Sequence, residues 1–195
     1  MNMYFNVNLS KYYNHIIYEN KLIESNDKMD KRTIYGLPHN NNINIIDKKE
    51  LCKTIFGIRF QFAEEGCIFD NLMCDCQTIE IFLKSISEIY LLGFSEMGTV
   101  LDEIVLHTSD EKKVVVPFVF KTFHSDSFRG IDNDGINSRC QLAFFANGND
   151  GQKHGVYFWK IDLKKTYNID YMVLPPNCSM HIMAITVKYG LVHKK

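Results

Sequence analysis

The sequence predicts an all-β fold, an antiparallel sandwich or barrel. In residues 56–95, four short apolar runs alternate with the turn-forming sequences EEG, DN and KS. In the first run Phe60 and Phe62 alternate with polar Arg59 and Gln61, a period of two that is typical of a strand with one buried face. Strands and turns that recur at spacings of about ten residues favour antiparallel connections. No helical periodicity extends beyond about two turns, so helices are expected to be minor.

The first half of the chain supplies four of the predicted strands. Residues 89–94 are apolar throughout, which favours a central strand covered on both faces. A turn is predicted at Lys84–Ser85, before this central strand, and residues 10–15 are predicted to form a turn or a single helical turn. The four strands are predicted at residues 3–9, 56–62, 78–83 and 89–94.

The second half repeats the pattern. Pro117 indicates an edge strand or a bulge, because proline cannot donate a ladder hydrogen bond. Residues 109–113 read as a hairpin loop, and Pro175–Pro176 separates the last two strands. Strands are predicted at residues 100–108, 114–123, 140–146, 156–163, 167–174 and 180–189. The predicted core includes Phe60, Phe62, Ile81, Leu91, Leu92, Ile182 and Ile185.

Length and charge limit the classes of function. The 195 residues, 46% of them hydrophobic, are expected to form a single β-sandwich domain over residues 1–195. The net charge of -1 and the absence of a basic stripe argue against nucleic acid as a partner. No apolar stretch approaches the ~18 residues that a membrane span requires. The N-terminal sequence does not resemble a secretory signal, so a cytoplasmic location is expected.

The cysteines favour free thiols over a disulfide framework. A domain of this size does not need covalent staples, and four of the six cysteines lie inside apolar runs. Cys74 and Cys76 are separated by one residue, which is not the spacing of a zinc half-site, and both thiols are expected to pack inward. No cofactor is expected. The sequence Asp132-Asn133-Asp134 leaves open a structural calcium ion held between loops.

Motifs of catalysis do not appear in the sequence. There is no Gly-x-Ser-x-Gly elbow and no recognisable Cys/His pair. His181 lies in an alternating run and is predicted to be a partly buried structural imidazole bonded to the backbone. His154 opens a strand and is predicted to be a rim residue. A non-catalytic protein is therefore favoured, with enzymatic activity left undecided.

Seven segments occur together in a familiar order. They are residues 8–14, 56–62, 70–71, 77–79, 91–95, 174–177 and 180–187. This arrangement resembles the jelly-roll β-sandwich modules attached to bacterial glycoside hydrolases, in the galactose-binding-like superfamily. The resemblance implies a jelly-roll sandwich of two antiparallel sheets that binds carbohydrate, or another small polar ligand, without catalysis.

The expected ligand site combines aromatic and polar side chains at one end of the sandwich. Loops at the ends of a sandwich are free for recognition, and residues 124–139 form a long polar loop. Aromatic rings would stack on sugar faces, while guanidinium, carboxylate and amide groups would bind hydroxyls. The predicted ligand-binding residues are Phe128, Arg129, Asp132, Asn133, Asp134, Tyr157 and Trp159.

Several alternatives remain open from the sequence. Tyr157 and Trp159 lie two residues apart and share one strand face, so packing into the core is an equal alternative for Trp159. Asp and Gly in the loop also serve simply to turn the chain. At the level of function, the alternatives are a cytosolic accessory protein or enzyme of a biosynthetic pathway built on the same sandwich, and a protein-interaction module.

Overall fold

The computed structural model describes residues 2–15, 52–63, 70–123, 139–147 and 153–190. Ten strands lie in these ranges, and all their pairings are antiparallel. They are β1 (Asn2–Asn6), β2 (Cys52–Ile55), β3 (Ile58–Gln61), β4 (Leu72–Met73), β5 (Thr78–Ser95), β6 (Val100–Thr108), β7 (Lys113–Phe120), β8 (Gln141–Asn147), β9 (Lys153–Val173) and β10 (Met180–Gly190).

The strands form an antiparallel β-sandwich, which confirms the predicted all-β class. The eight-stranded sheet has the order β1-β10-β5-β9-β6-β7, with β4 attached to β10 and β8 to β9, and a second sheet consists of β2 and β3. The β7 strand folds back over the centre of the large sheet. Only glycine fits at position 93. A Cβ atom there would lie 2.1 Å from the His181 carbonyl oxygen and 2.5 Å from the Phe120 ring, closer than non-bonded atoms approach.

The predicted turn at Lys84–Ser85 is wrong, because β5 continues through it, and the strands predicted at residues 156–163 and 167–174 are parts of one continuous strand, β9. The first part of β5 pairs with the end of β9, and the second part of β5 pairs with the beginning of β9 on one side and with β10 on the other. The end of β9 also pairs with β6. The register shifts three times between Glu80 and Glu88. Phe82, Ser85 and Lys164 adopt positive φ at these irregularities. Bulges redirect a strand without ending it, so the turn-forming residues here bend one long ladder.

The predicted core is confirmed. All seven named residues are buried in one contiguous apolar cluster. The uniformly apolar run 89–94 lies in β5 between β9 and β10 and is buried on both faces, as expected of a central strand. Burial of these side chains is the main contribution to the stability of the sandwich.

Of the two strands in the β2–β3 hairpin, β3 was predicted from the sequence and β2 was not. Ile55 pairs with Ile58, and the two residues between them, Phe56 and Gly57, have φ of 49° and 77°. Positive φ at both central positions is the pattern of a type I′ turn, which matches the twist of hairpin strands. The hairpin packs on the face of the large sheet opposite to β7, where Phe60 contacts Phe158.

The cysteines that the structure describes are free: Cys52, Cys74, Cys76, Cys140 and Cys178. Cys74 is buried but Cys76 is exposed, with φ of 58°, so the two thiols do not both pack inward. Cys67 lies outside the described residues. Within the described ranges, no helix has the length and apolar character needed to cross a membrane.

Candidate functional site

The sequence-predicted site residues divide into two groups. The loop residues Phe128, Arg129, Asp132, Asn133 and Asp134 lie outside the described residues. Tyr157 and Trp159 are described, and both are buried.

Tyr157 and Trp159 use their polar atoms inside the protein. The Tyr157 hydroxyl donates to the Thr122 carbonyl oxygen at 3.1 Å, and burial raises the pKa of this phenol. The Trp159 Nε1 donates to the Pro117 carbonyl oxygen at 3.3 Å, within β7. This position is the core alternative that the sequence left open for Trp159, and it ties β9 to the overlying β7.

A buried polar array surrounds His181. Its Nδ1 lies 2.8 Å from Asn71 Oδ1. The Asn71 amide nitrogen donates to Asp70 Oδ1 at 2.8 Å, so Asn71 Oδ1 is left to accept a hydrogen bond from the imidazole Nδ1–H. His181 is therefore bonded to the Asn71 side chain as well as to the backbone at Cys178, and it is fully buried rather than partly buried.

Glu96 completes this array from the other side of the ring. Its Oε1 lies 2.9 Å from His181 Nε2. Burial opposes any additional proton on the ring, and the pKa of His181 is lowered to about 3.

His15 belongs to the same array. Its ring meets the His181 ring edge-on at 4.9 Å. Burial, followed by the nearby His181, lowers the pKa of His15 to about 4, although Glu96 opposes the shift. Two imidazoles, Glu96 and Asp70 thus converge within the core.

Aromatic stacking extends from this array along the sheet. His181 stacks on Phe94 at 4.8 Å, Phe94 contacts Phe123 at 4.5 Å, and Phe123 stacks on His154 at 4.4 Å. His154 is fully buried, so its prediction as a rim residue is wrong. The row organises the end of the sandwich at which β5 finishes and β9 begins.

A second group of aromatic rings reaches the surface. We call Tyr4, Phe56, Tyr90 and Phe158 the aromatic platform. The ring centroids are 6.1 Å apart for Tyr4–Tyr90, 5.9 Å for Tyr90–Phe158 and 5.1 Å for Phe158–Phe56. The two inner rings are buried, but Tyr4 is 49% and Phe56 56% exposed. The row therefore starts and ends on rings that a ligand can touch.

The position of Phe56 is unusual for its residue type. A φ of 49° at the tip of a two-residue hairpin suits asparagine or glycine, and a phenylalanine there costs backbone strain. The ring does not recover this cost by full burial. An exposed apolar side chain at a strained backbone position, as Phe56 is, indicates a functional role.

Charged groups adjoin the platform on the same sheet face. Glu88 Oε1 lies 3.1 Å from both Lys160 Nζ and Lys188 Nζ, and the Tyr90 hydroxyl donates to the other carboxylate oxygen. Partial burial opposes ionisation of Glu88, but the hydrogen bonds from Tyr90, Lys188 and Lys160 outweigh it and lower the pKa of Glu88. Burial and then Glu88 raise the pKa of Tyr90. Lys160 remains partly exposed, and its ammonium group has three donors, more than the contact with Glu88 Oε1 uses.

The arrangement suits a ligand that has both an apolar face and polar substituents. The exposed rings offer flat apolar surface, and Glu88, Lys160, Lys188 and the Tyr90 hydroxyl form a fixed polar border. Among the described residues, no group of three or more His, Cys, Asp or Glu side chains is placed to hold a metal ion.

Comparison with known proteins places the chain in a family. The family model described as the AziU2-like beta-sandwich domain matches residues 18–190. This range contains every strand from β2 to β10, and hence all of the platform except Tyr4. No curated protein matches the chain. Because the match extends over most of its length, the chain belongs to the AziU2-like β-sandwich domain family.

Proposed function

We propose that this β-sandwich is a non-catalytic carbohydrate-binding module whose ligand lies on the aromatic platform. The observation that carries the proposal is the exposed Phe56 ring, which occupies a left-handed turn position where asparagine or glycine would cost less. The relation to galactose-binding-like jelly rolls and a cytoplasmic location are parts of the same proposal.

The chemistry of the platform supports a sugar as the ligand. The C–H face of a pyranose ring packs on an aromatic face, while its hydroxyls donate to carboxylates and accept from amines and phenols. Glu88 and Lys160 supply such groups beside Tyr90, an inner ring of the platform. Glu88 is bonded by three donors, so this border is held in place before a ligand arrives.

The loop residues belong to the proposal as a second contact region. Arg129, Asp132, Asn133 and Asp134 are suited to bind sugar hydroxyls or a bridging calcium ion, and Phe128 offers a further ring. Binding measured with and without calcium tests the ion separately from the sugar.

The test begins with a glycan array probed with the whole chain and continues with titration of the best glycan. Phe56→Asn removes the ring but keeps a residue that tolerates positive φ. We expect affinity to fall at least tenfold, equivalent to about 1.4 kcal/mol. Phe82→Asn is the matched control, because Phe82 is also an exposed phenylalanine with φ of 50°.

The control should bind as tightly as the parent protein, and neither variant should lose thermal stability. A parent protein that binds no glycan on the array contradicts the proposed function. A Phe56→Asn protein that binds as tightly as its parent contradicts the assignment of the platform.

A further inference from the structure

The part of the sheet formed by β6, β7 and the end of β9 has one surface directed away from the core. Alternate residues of these strands, such as Ile104, Leu106 and Val116, are buried. The residues between them point outward. We call this surface the outer face, and it comprises Leu101, Glu103, Val105, His107, Lys113, Val115, Pro117, Tyr171 and Val173.

The middle of the outer face is apolar. Val105 is paired with Val115 on one side and with Val173 on the other, so three valines form a row across three strands. Leu101 is 55% and Val115 52% exposed. A continuous apolar patch of this kind on a sheet is typical of an interaction surface.

The two ends of the outer face carry opposite charge. Glu103 lies two residues before Val105 on β6, and Lys113 lies two residues before Val115 on β7. Because the two strands are antiparallel, Glu103 and Lys113 are on opposite sides of the valine row. Lys113 is paired with His107, whose ring stacks on Tyr171 at 4.2 Å. In the part of the chain that the structure describes, neither Glu103 nor Lys113 has an ion-pair partner.

We infer that the outer face binds a second copy of this chain, in a symmetric dimer with sheets packed face to face. A two-fold axis that lies in the interface and crosses the strands at Val105 and Val115 places the valine row against its own copy. The same rotation brings Glu103 of each copy level with His107 and Lys113 of the other. A face with an acidic end and a basic end on opposite sides of an apolar middle is therefore complementary to a second copy of itself. Because the dimer is symmetric, the contact between the acidic and the basic end forms twice.

The edge of β7 favours contact through the face over extension of the sheet. β7 ends the strand order of the large sheet, but it carries Pro117 and begins at Lys113. Proline and lysine on an edge strand oppose the addition of another strand. Packing of two sheets by their faces, with strands about 30° from alignment, remains compatible with both residues.

The experiment is light scattering coupled to size-exclusion chromatography over a range of concentrations. The parent chain should elute with twice its mass of 22.7 kDa. Val115→Asp should convert the dimer to a monomer, because it places a carboxylate in the centre of the apolar row. Leu142→Asp is the control, since Leu142 is an exposed apolar residue on β8, away from the outer face, and this variant should remain a dimer.

A charge exchange tests the register. Lys113→Glu and Glu103→Lys should each raise the dimer dissociation constant at least tenfold, and the double variant should recover the parent value. A thermal melt of each variant checks that it is folded.

The inference is overturned if the parent is a monomer at about 100 µM, which leaves no dimer of useful affinity. A folded Val115→Asp protein that remains a dimer also overturns it. If the double variant dimerises no better than the single variants, the proposed two-fold arrangement is wrong.

Discussion

His15, His181 and Glu96 show how far burial changes the chemistry of single residues. The sequence indicated a structural role for His181 from its place in an apolar run. It could not indicate the partners, because Asn71 and Glu96 are distant along the chain and meet His181 only when β4, β5 and β10 pair. The same reason explains His154, whose burial depends on Phe123 stacking over it.

The first prediction follows from the lowered pKa values of these histidines. The folded state resists protonation of His15 down to about pH 4, while the unfolded chain takes up the proton near pH 6.5. The contribution of His15 to the free energy of unfolding is therefore fully present above about pH 6.5, and it is lost as the pH falls towards 4. At ~1.4 kcal/mol per pKa unit, His15 alone accounts for about 3 kcal/mol over this interval.

Urea unfolding at several pH values between 7 and 4 measures this loss. The pH dependence should be clearly weaker in a His15→Gln protein, which has no imidazole to titrate at that position. Equal slopes for the two proteins would show that His15 does not titrate as its burial requires.

The second prediction concerns a single core residue. Leu92 is fully buried in the centre of β5, so Leu92→Ala should lower the free energy of unfolding by about 2–5 kcal/mol. Leu142→Ala, at an exposed position, should cost less than about 0.5 kcal/mol. A urea melt compares them, and equal small losses would contradict the central position of β5.

Individual strands were predictable where alternation was regular, as in β6, whose predicted bounds agree with the structure. The sequence did not distinguish the end of a strand from a bulge in β5 and β9, since the positive φ falls on Phe82, Ser85 and Lys164, residue types that do not mark such a position. Which of the two forms depends on whether the strand ladder continues on the far side. The β2 strand was missed because its sequence, Cys-Lys-Thr-Ile, does not alternate apolar and polar residues, whereas the equally short β3 does.

The third prediction tests the bulge in β9. Lys164 has φ of 61°, whereas the adjacent Lys165 does not have positive φ. Glycine relieves strain at the first position, whereas at the second it adds chain entropy and removes the contact of Lys165 Nζ with the Tyr167 ring, 5.1 Å from its centroid. Lys164→Gly should therefore be more stable than Lys165→Gly by about 1 kcal/mol in thermal unfolding. The reverse order would contradict a left-handed residue in the middle of β9.

At the scale of the whole molecule, the fold class and the core were predictable and the surface was not. Trp159 and Tyr157 illustrate the limit: aromatic residues two apart on a strand fit a binding face and a core face equally. Burial beneath β7 is a long-range property that local spacing does not contain. Phe56 gave a weak local signal, a phenylalanine before Gly57 where hairpins favour asparagine.

The two exposed surfaces use different parts of the sandwich. The aromatic platform lies on the sheet face covered by the β2–β3 hairpin, and the outer face belongs to β6, β7 and the end of β9. A dimer formed through the outer face would leave both platforms accessible. A glycan that carries several copies of the bound sugar would then bind the dimer with higher apparent affinity, because two linked sites can hold it together.

The most direct test of the account is the NMR footprint of a glycan selected on the array. Bound ligand should shift the side-chain resonances of Tyr4, Phe56 and Lys160, and those of the buried Trp159 should stay unchanged. A footprint confined to residues 124–139, with Phe56 and Tyr4 unaffected, would contradict the account and move the site to the loop.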